Sequence, residues 1–114
     1  MTSSERGLTV LLTNLLLAGR SGTEVVVRNL ARALVDLGHQ PLVYSPRQGR
    51  MAEESRALSV PVIDDIRAMR APVDVIHGHH LPTTVAALAR FPGTPALFVC
   101  HDFVAWHDRP PLFP

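Results

Sequence analysis

Residues 21–44 read SGTEVVVRNLARALVDLGHQPLVY and contain a helix, a helix stop and a strand in direct succession. After Ser21 the apolar residues recur with the helical period, at Val26, Leu30, Ala33, Leu34 and Leu37. Gly38 stands just after this stripe, in the position where glycine commonly ends a helix. Pro41–Tyr44 is a short apolar run typical of a β-strand. The stretch therefore predicts one helix-to-strand unit of an α/β fold.

The same alternation of short apolar runs and helical segments extends along the rest of the chain. Strands are predicted at residues 8–14, 41–44, 60–63, 73–76 and 96–100. Further helices are predicted at residues 52–58, at 64–69 and from Pro82 to the Phe91–Gly93 segment. Strands that alternate with helices form a parallel sheet covered on both faces. We therefore predict an α/β fold with a Rossmann-like doubly wound parallel sheet, strand order 3-2-1-4-5, in a single domain over residues 1–114.

Two strands carry further signals about their place in the sheet. Pro61 lies within the third strand and lacks a backbone N–H, which favours an edge position. The fifth strand is apolar throughout, which is expected of a strand buried on both faces.

Composition excludes several classes of function. The net charge is +1, and the 11 basic residues are all arginine, so Schiff-base chemistry and a P-loop lysine are excluded. The chain has no basic run that would bind nucleic acid. The single cysteine, Cys100, indicates a reducing compartment. The longest apolar stretch, Leu8–Ala18, is too short to span a bilayer and lacks a positive flank, so we expect a cytoplasmic protein.

The unusual residues follow the strands that meet at the centre of the predicted sheet. Ligands of a doubly wound sheet bind beyond the carboxyl ends of the strands, where the strand order reverses. Residues 18–24 follow the first strand, His77–His80 follow the fourth, and His101 and Asp102 follow the fifth. The sequence therefore predicts a binding crevice at this edge of the sheet.

The first of these loops is suited to a phosphate. Ser21, Gly22 and Thr23 stand at the start of a predicted helix, where backbone N–H groups and a partial positive charge attract anions. The glycine spacing, Gly19-x-x-Gly22, is not that of a dinucleotide-binding fingerprint. A capping box with Ser21 as N-cap and Glu24 three residues later explains the same residues and leaves other N–H groups free for a phosphate.

The histidines admit two interpretations. Together with Asp102, the histidines at 77, 79, 80 and 101 offer enough nitrogen and carboxylate ligands for zinc. However, His77 and His79 share one face of an extended strand while His80 faces the other way. We therefore expect no metal. The favoured interpretation has His77 buried and hydrogen-bonded in the strand, with His79 and His80 lining the crevice.

Several segments together resemble the amino-terminal domain of family 4 glycosyltransferases. They are Ser21–Glu24, Val25–Leu34, Leu37–His39, Val73–His80 and Val99–Asp102, and they occur in the order of the family. The resemblance implies one half of a GT-B fold, in which two Rossmann-like domains face each other across a cleft. It implies sugar transfer from a nucleotide-sugar donor to a sugar, lipid or small-molecule acceptor, with retained anomeric configuration and without a metal or other cofactor.

The resemblance also implies residue roles. Ser21, Gly22 and Thr23 match the loop that contacts the donor diphosphate, and His101 matches the histidine close to the donor sugar, so we expect it to be catalytic. The residues expected to line the acceptor side are His79, His80 and Asp102. This sequence departs from the family at Ser21, where the family has the first of two adjacent glycines, so a side chain stands where the phosphate would approach.

A second departure concerns the extent of the domain. The family binds its nucleotide in a carboxyl-terminal Rossmann-like domain, which residues 1–114 do not contain, so we expect the chain to be inactive alone. The proline-rich segment Arg109–Pro114 stands where a further helix or strand is expected, so we also expect an incomplete amino-terminal domain. The full enzyme would associate with the membrane peripherally. The alternative interpretation is a non-catalytic Rossmann-like binding module that docks onto such a second domain.

Overall fold

The computed structural model describes residues 7–14, 16–17, 22–57, 60–69 and 72–99. The strands are β1 (Thr9–Thr13), β2 (Leu16–Leu17), β3 (Gln40–Tyr44), β4 (Arg47–Gln48), β5 (Val62–Ile63), β6 (Val75–His79) and β7 (Ala96–Val99). Five of them form a sheet in the order β5-β3-β1-β6-β7, in which every pairing is parallel. This is the predicted order 3-2-1-4-5, and the α/β prediction is confirmed. The short strands β2 and β4 form a separate parallel pair that the sequence did not predict.

Helices cover both faces of the sheet. They are α1 (Gly22–Asp36), α2 (Arg50–Ala57), a 3-10 helix (Ile66–Ala68) and α3 (Leu81–Arg90). On the α1 side, Val27 and Ala31 belong to a buried cluster with side chains of β1 and β3. On the α3 side, Ala87 belongs to a second cluster with Leu11 and Ile76. Among the helices described here, none is long and apolar enough to cross a membrane.

The buried face of α1 matches the predicted stripe only in part: Leu30 and Leu34 pack against the core as predicted, and the other members of the stripe do not. Val27 and Ala31 are fully buried, whereas Val26 and Leu37 of the predicted stripe are 44% and 73% exposed. Val25, Val26 and Val27 are all apolar, so the sequence fits two neighbouring stripes, and adjacent residues of a helix point about 100° apart. Packing on the sheet selects the stripe that contains Val27. Gly38 ends the helix at φ 87°, as predicted.

The two edge strands of the sheet are β5 and β7, and only one of them was predicted to lie at an edge. β5 is an edge strand, as Pro61 predicted. The prediction for the fifth strand was wrong, because β7 is the other edge strand of the described sheet and Leu97 is 61% exposed. Leu97 pairs with His77 on the face opposite α3, and α1 and α2 lie over the distant strands β1, β3 and β5. An apolar sequence shows that a strand can be buried, but not whether an element covers it.

Candidate functional site

The crevice begins where β1 and β6 separate. The strand order reverses between these strands, and their last paired residues are Leu12 and His77. Beyond this pair β1 continues along β3, since Asn14 N donates to Tyr44 O over 3.0 Å. The residue pairing between β1 and β6 therefore stops one residue before the end of β1 and two residues before the end of β6. The gap lies at the switch point where doubly wound folds bind ligands.

Thr13 bridges this gap with its side chain. Its hydroxyl Oγ1 accepts a hydrogen bond from His79 N at 3.0 Å and lies 3.1 Å from His79 O, to which it donates. Thr13 is fully buried. One side chain thus bonds to both backbone polar groups of His79, beyond the last residue pair of β1 and β6.

His77 and His79 interact through their rings. His77 Nδ1 lies 3.0 Å from His79 Nε2, and the ring centroids are 4.9 Å apart. Because one nitrogen must donate and the other accept, the pair cannot carry a proton on both of these facing atoms. The prediction that both residues share one face of the strand is confirmed.

The burial of the histidines is the reverse of the expectation for the strand. His79, expected to line the crevice, is fully buried, and His80 is 7% exposed, whereas His77 is half-buried. The reason is that the chain turns sharply after His79, so that α3 begins directly at the end of β6. His77 is therefore the more accessible ring of the interacting pair.

His80 has a backbone conformation that non-glycine residues rarely adopt. Its φ is 70° and its ψ is 142°, and it is the only non-glycine residue with positive φ in the described part of the chain. Such a conformation costs about 1–3 kcal/mol and persists where the surroundings impose it, most often at functional sites. His80 occupies the N-cap position of α3 without a side-chain cap hydrogen bond.

Two threonine hydroxyls of α3 donate hydrogen bonds to the backbone of the strained turn. Thr83 Oγ1 donates to His79 O at 2.7 Å, and Thr84 Oγ1 donates to His80 O at 2.7 Å. Both threonines are buried. A Cβ on Gly78 would lie 2.5 Å from Thr84 Oγ1 and 2.7 Å from Thr84 Cγ2, so only glycine allows α3 to approach β6 this closely.

The predicted phosphate loop lies at the start of α1. Gly22 is the first residue of α1, and Thr23 follows it in the first turn. Glu24, the acid of the predicted capping box, is in the same turn and only 2% exposed. A carboxylate at this position is favoured by the helix dipole. Ser21 lies outside the described residues, so the cap itself stays a prediction.

Two of the predicted site residues follow the fifth strand in the sequence. His101 and Asp102 lie outside the described residues, and their roles stay predictions. Their strand is placed, because β7 pairs with β6 in a register that sets Val99 beside His79. Within the described segments, no group of three or more His, Cys, Asp or Glu residues could hold a metal ion.

Tyr44 ends β3 at the same edge of the sheet. Burial, followed by the charges of Asp65 and Asp64, raises the pKa of the Tyr44 phenol. The phenol therefore remains protonated and can act as a hydrogen-bond donor over the physiological pH range.

Sequence reasoning missed Thr13, Gly78, Thr83 and Thr84. The signals were a threonine at the end of the first strand and two consecutive threonines after Pro82, and hydroxyl residues at such positions often bond to nearby backbone groups. Which backbone groups they would reach depends on the separation of β1 and β6, which the sequence does not show.

A comparison with known families gives one match. The sequence profile of the family described as Glycosyltransferase Family 4 matches residues 20–113, which include both helix starts and the histidine segment. No curated protein and no solved structure matches the chain.

Proposed function

The chain belongs to glycosyltransferase family 4, and we propose that it is the acceptor-side, amino-terminal domain of a retaining enzyme that transfers a sugar from a nucleotide-sugar donor. The observation that carries this proposal is the strained His80 at the end of β6, beside the switch point of the sheet. Strained residues are found most often at functional sites, and ligands bind at this end of the sheet. We therefore expect the His80 ring to contact a substrate.

The donor diphosphate is assigned to the start of α1. Gly22 has no side chain to block the approach of a phosphate to the backbone N–H groups of the first turn. Ser21 and Thr23 flank it and offer hydroxyl donors. Glu24 is buried in the same turn, so its carboxylate is withdrawn from solvent.

The acceptor side is assigned to the end of β6. His80 keeps some exposure and His79 has none, so we assign the direct acceptor contact to His80. His79 is fully buried, and its ring contacts that of His77. Asp102 is a further acceptor-lining residue, and His101 is the catalytic residue that orients the donor sugar and stabilises charge at the reaction centre.

The proposal also covers the second domain of the enzyme, its acceptor and its location in the cell. A second, carboxyl-terminal Rossmann-like domain would bind the nucleotide and close the cleft, because transfer requires that both substrates are held together. We propose a sugar, lipid or small-molecule acceptor, no metal or other cofactor, and a cytoplasmic enzyme that associates with membranes peripherally.

The proposal is tested by joining the chain to a donor-binding domain of its family. We expect the 114-residue chain alone to transfer no sugar from any nucleotide-sugar, and the two-domain protein to transfer one with retained anomeric configuration, as read by NMR of the product. Multiple turnovers by the chain alone would contradict the proposal. A two-domain protein that folds correctly but never transfers a sugar would favour the alternative, a non-catalytic Rossmann-like binding module.

A further inference from the structure

We infer that Thr13 and Thr83 are positioning residues, whose hydroxyls hold the peptide between His79 and His80 and thereby keep His80 in its left-handed conformation. This inference deepens the proposed function and rests on it only for the claim that His80 contacts a substrate. The claim that Thr13 and Thr83 hold the peptide depends only on the geometry of the turn.

The direction of the His79 carbonyl and the φ angle of His80 are not independent. Both belong to the peptide plane between residues 79 and 80, so a flip of that plane reverses the carbonyl and moves His80 out of positive φ. Whatever fixes His79 O therefore fixes the backbone of His80.

Two buried hydroxyls fix His79 O. Thr83 Oγ1 donates to it at 2.7 Å from α3, and Thr13 Oγ1 lies 3.1 Å from it on β1. A flipped peptide would leave both hydroxyls and the carbonyl without these bonds in a buried region, where an unmade hydrogen bond is costly. The bonds come from opposite sides of the turn, so neither helix nor strand can move without affecting the peptide.

The shortest contact of each threonine hydroxyl to a carbonyl gives a consistent arrangement of the hydroxyl hydrogens, although Thr83 Oγ1 also lies 3.4 Å from His80 O. Each threonine has a single O–H hydrogen. Thr83 donates to His79 O, Thr84 donates to His80 O at 2.7 Å, and Thr13 donates to His79 O while accepting from His79 N. The 3.5 Å separation of the Thr13 and Thr84 hydroxyls then needs no hydrogen of its own. In this arrangement each of the three hydroxyls donates to a carbonyl of the turn, so the turn is held without a bound substrate.

The inference is tested by NMR on the full 114-residue chain, without any sugar. Cross-relaxation between the amide and α protons of His80 is strong only while φ is positive. We expect it to fall to the level of ordinary strand residues in Thr83→Val and Thr13→Val, and to stay strong in Thr83→Ser, which keeps the hydroxyl. Thr94→Val is the matched control, because Thr94 Oγ1 also donates to a backbone carbonyl, Val73 O, but away from the turn.

The inference is overturned if the valine variants keep strong cross-relaxation, or if Thr83→Ser loses it. Thr83→Ala gives the same test if the valine variants do not fold, since it adds no atoms to the packed site. In the two-domain protein we expect Thr83→Val, but not Thr83→Ser, to lower kcat about tenfold. A two-domain protein without any transfer would refute the proposed function and leave the NMR result to decide the role of the threonines.

Discussion

The two helix starts at the carboxyl edge of the sheet are built in different ways. The first turn of α1 contains Gly22 and a buried acid, Glu24, whereas the first turn of α3 contains no acid and begins after the strained His80. At α3 the hydroxyls of two threonines bond to the carbonyls that precede the helix. The start of α1 is thus suited to a ligand that contacts the backbone, and the start of α3 to a ligand that contacts a fixed side chain.

The largest effect is expected at His101, which follows β7 in the chain and belongs to neither helix start. In the two-domain protein, His101→Ala should lower kcat by about 10²-fold or more, the range for one preorganised polar contact, while the protein remains folded. Steady-state kinetics with saturating donor and acceptor measure this. His39→Ala is the matched control, because His39 Nδ1 accepts from Leu8 N at the opposite edge of the sheet.

A folded His101→Ala variant with nearly full kcat would show that this histidine is structural. The chemistry would then have to be explained by the two helix starts alone.

The next effect is on the packing of α3 against β6. Gly78→Ala should lower the free energy of unfolding by about 1–3 kcal/mol, since its Cβ would overlap the buried Thr84 side chain. Urea unfolding of the isolated chain measures this. Gly93→Ala is the control, because a Cβ on Gly93 would have no neighbour within 4 Å. Equal stabilities of the two variants would mean that α3 does not need its close approach to β6.

A smaller effect is expected at the start of α1. In the two-domain protein, Gly22→Val should lower kcat/KM for the donor about tenfold, or about 1.4 kcal/mol, because a branched side chain blocks the approach of the diphosphate. Acceptor KM should not change, and this separates the two helix starts. If kcat and KM for the donor are both unchanged, the start of α1 serves only as a helix cap.

The sequence predicts the order of the strands because each short apolar run is separated from the next by a helix or a turn signal. It predicts that Leu30 and Leu34 of α1 pack on the core, but not which of Val25, Val26 and Val27 is buried, because three consecutive valines fit neighbouring stripes equally well. It also does not predict the exposure of Leu97, which depends on what covers β7.

For the site, the sequence predicts where the residues lie but not which contacts hold them in position. The sequence placed His77–His80 after the fourth strand, whereas His77 and His79 are among its last residues and only His80 follows it. Their end of the sheet could still be predicted, because parallel strands end at one edge of the sheet. The inverted burial of His77 and His79 could not, since it follows from the sharp turn at His80. Nor could the role of Thr13, whose hydroxyl bonds to a residue 66 positions away in the chain.

The most direct test of the account compares two substitutions at His80. Both His80→Gly and His80→Ala remove the imidazole, but only glycine relieves the backbone strain of a positive φ. At an ordinary position alanine is the more stable of the two by about 0.5–1 kcal/mol. We predict the reverse order here, with the glycine variant about 1 kcal/mol more stable in urea unfolding, and at least a tenfold loss of sugar transfer for both variants in the two-domain protein. A more stable alanine variant, or full transfer without the imidazole, would contradict the claim that a strained histidine is held here for function.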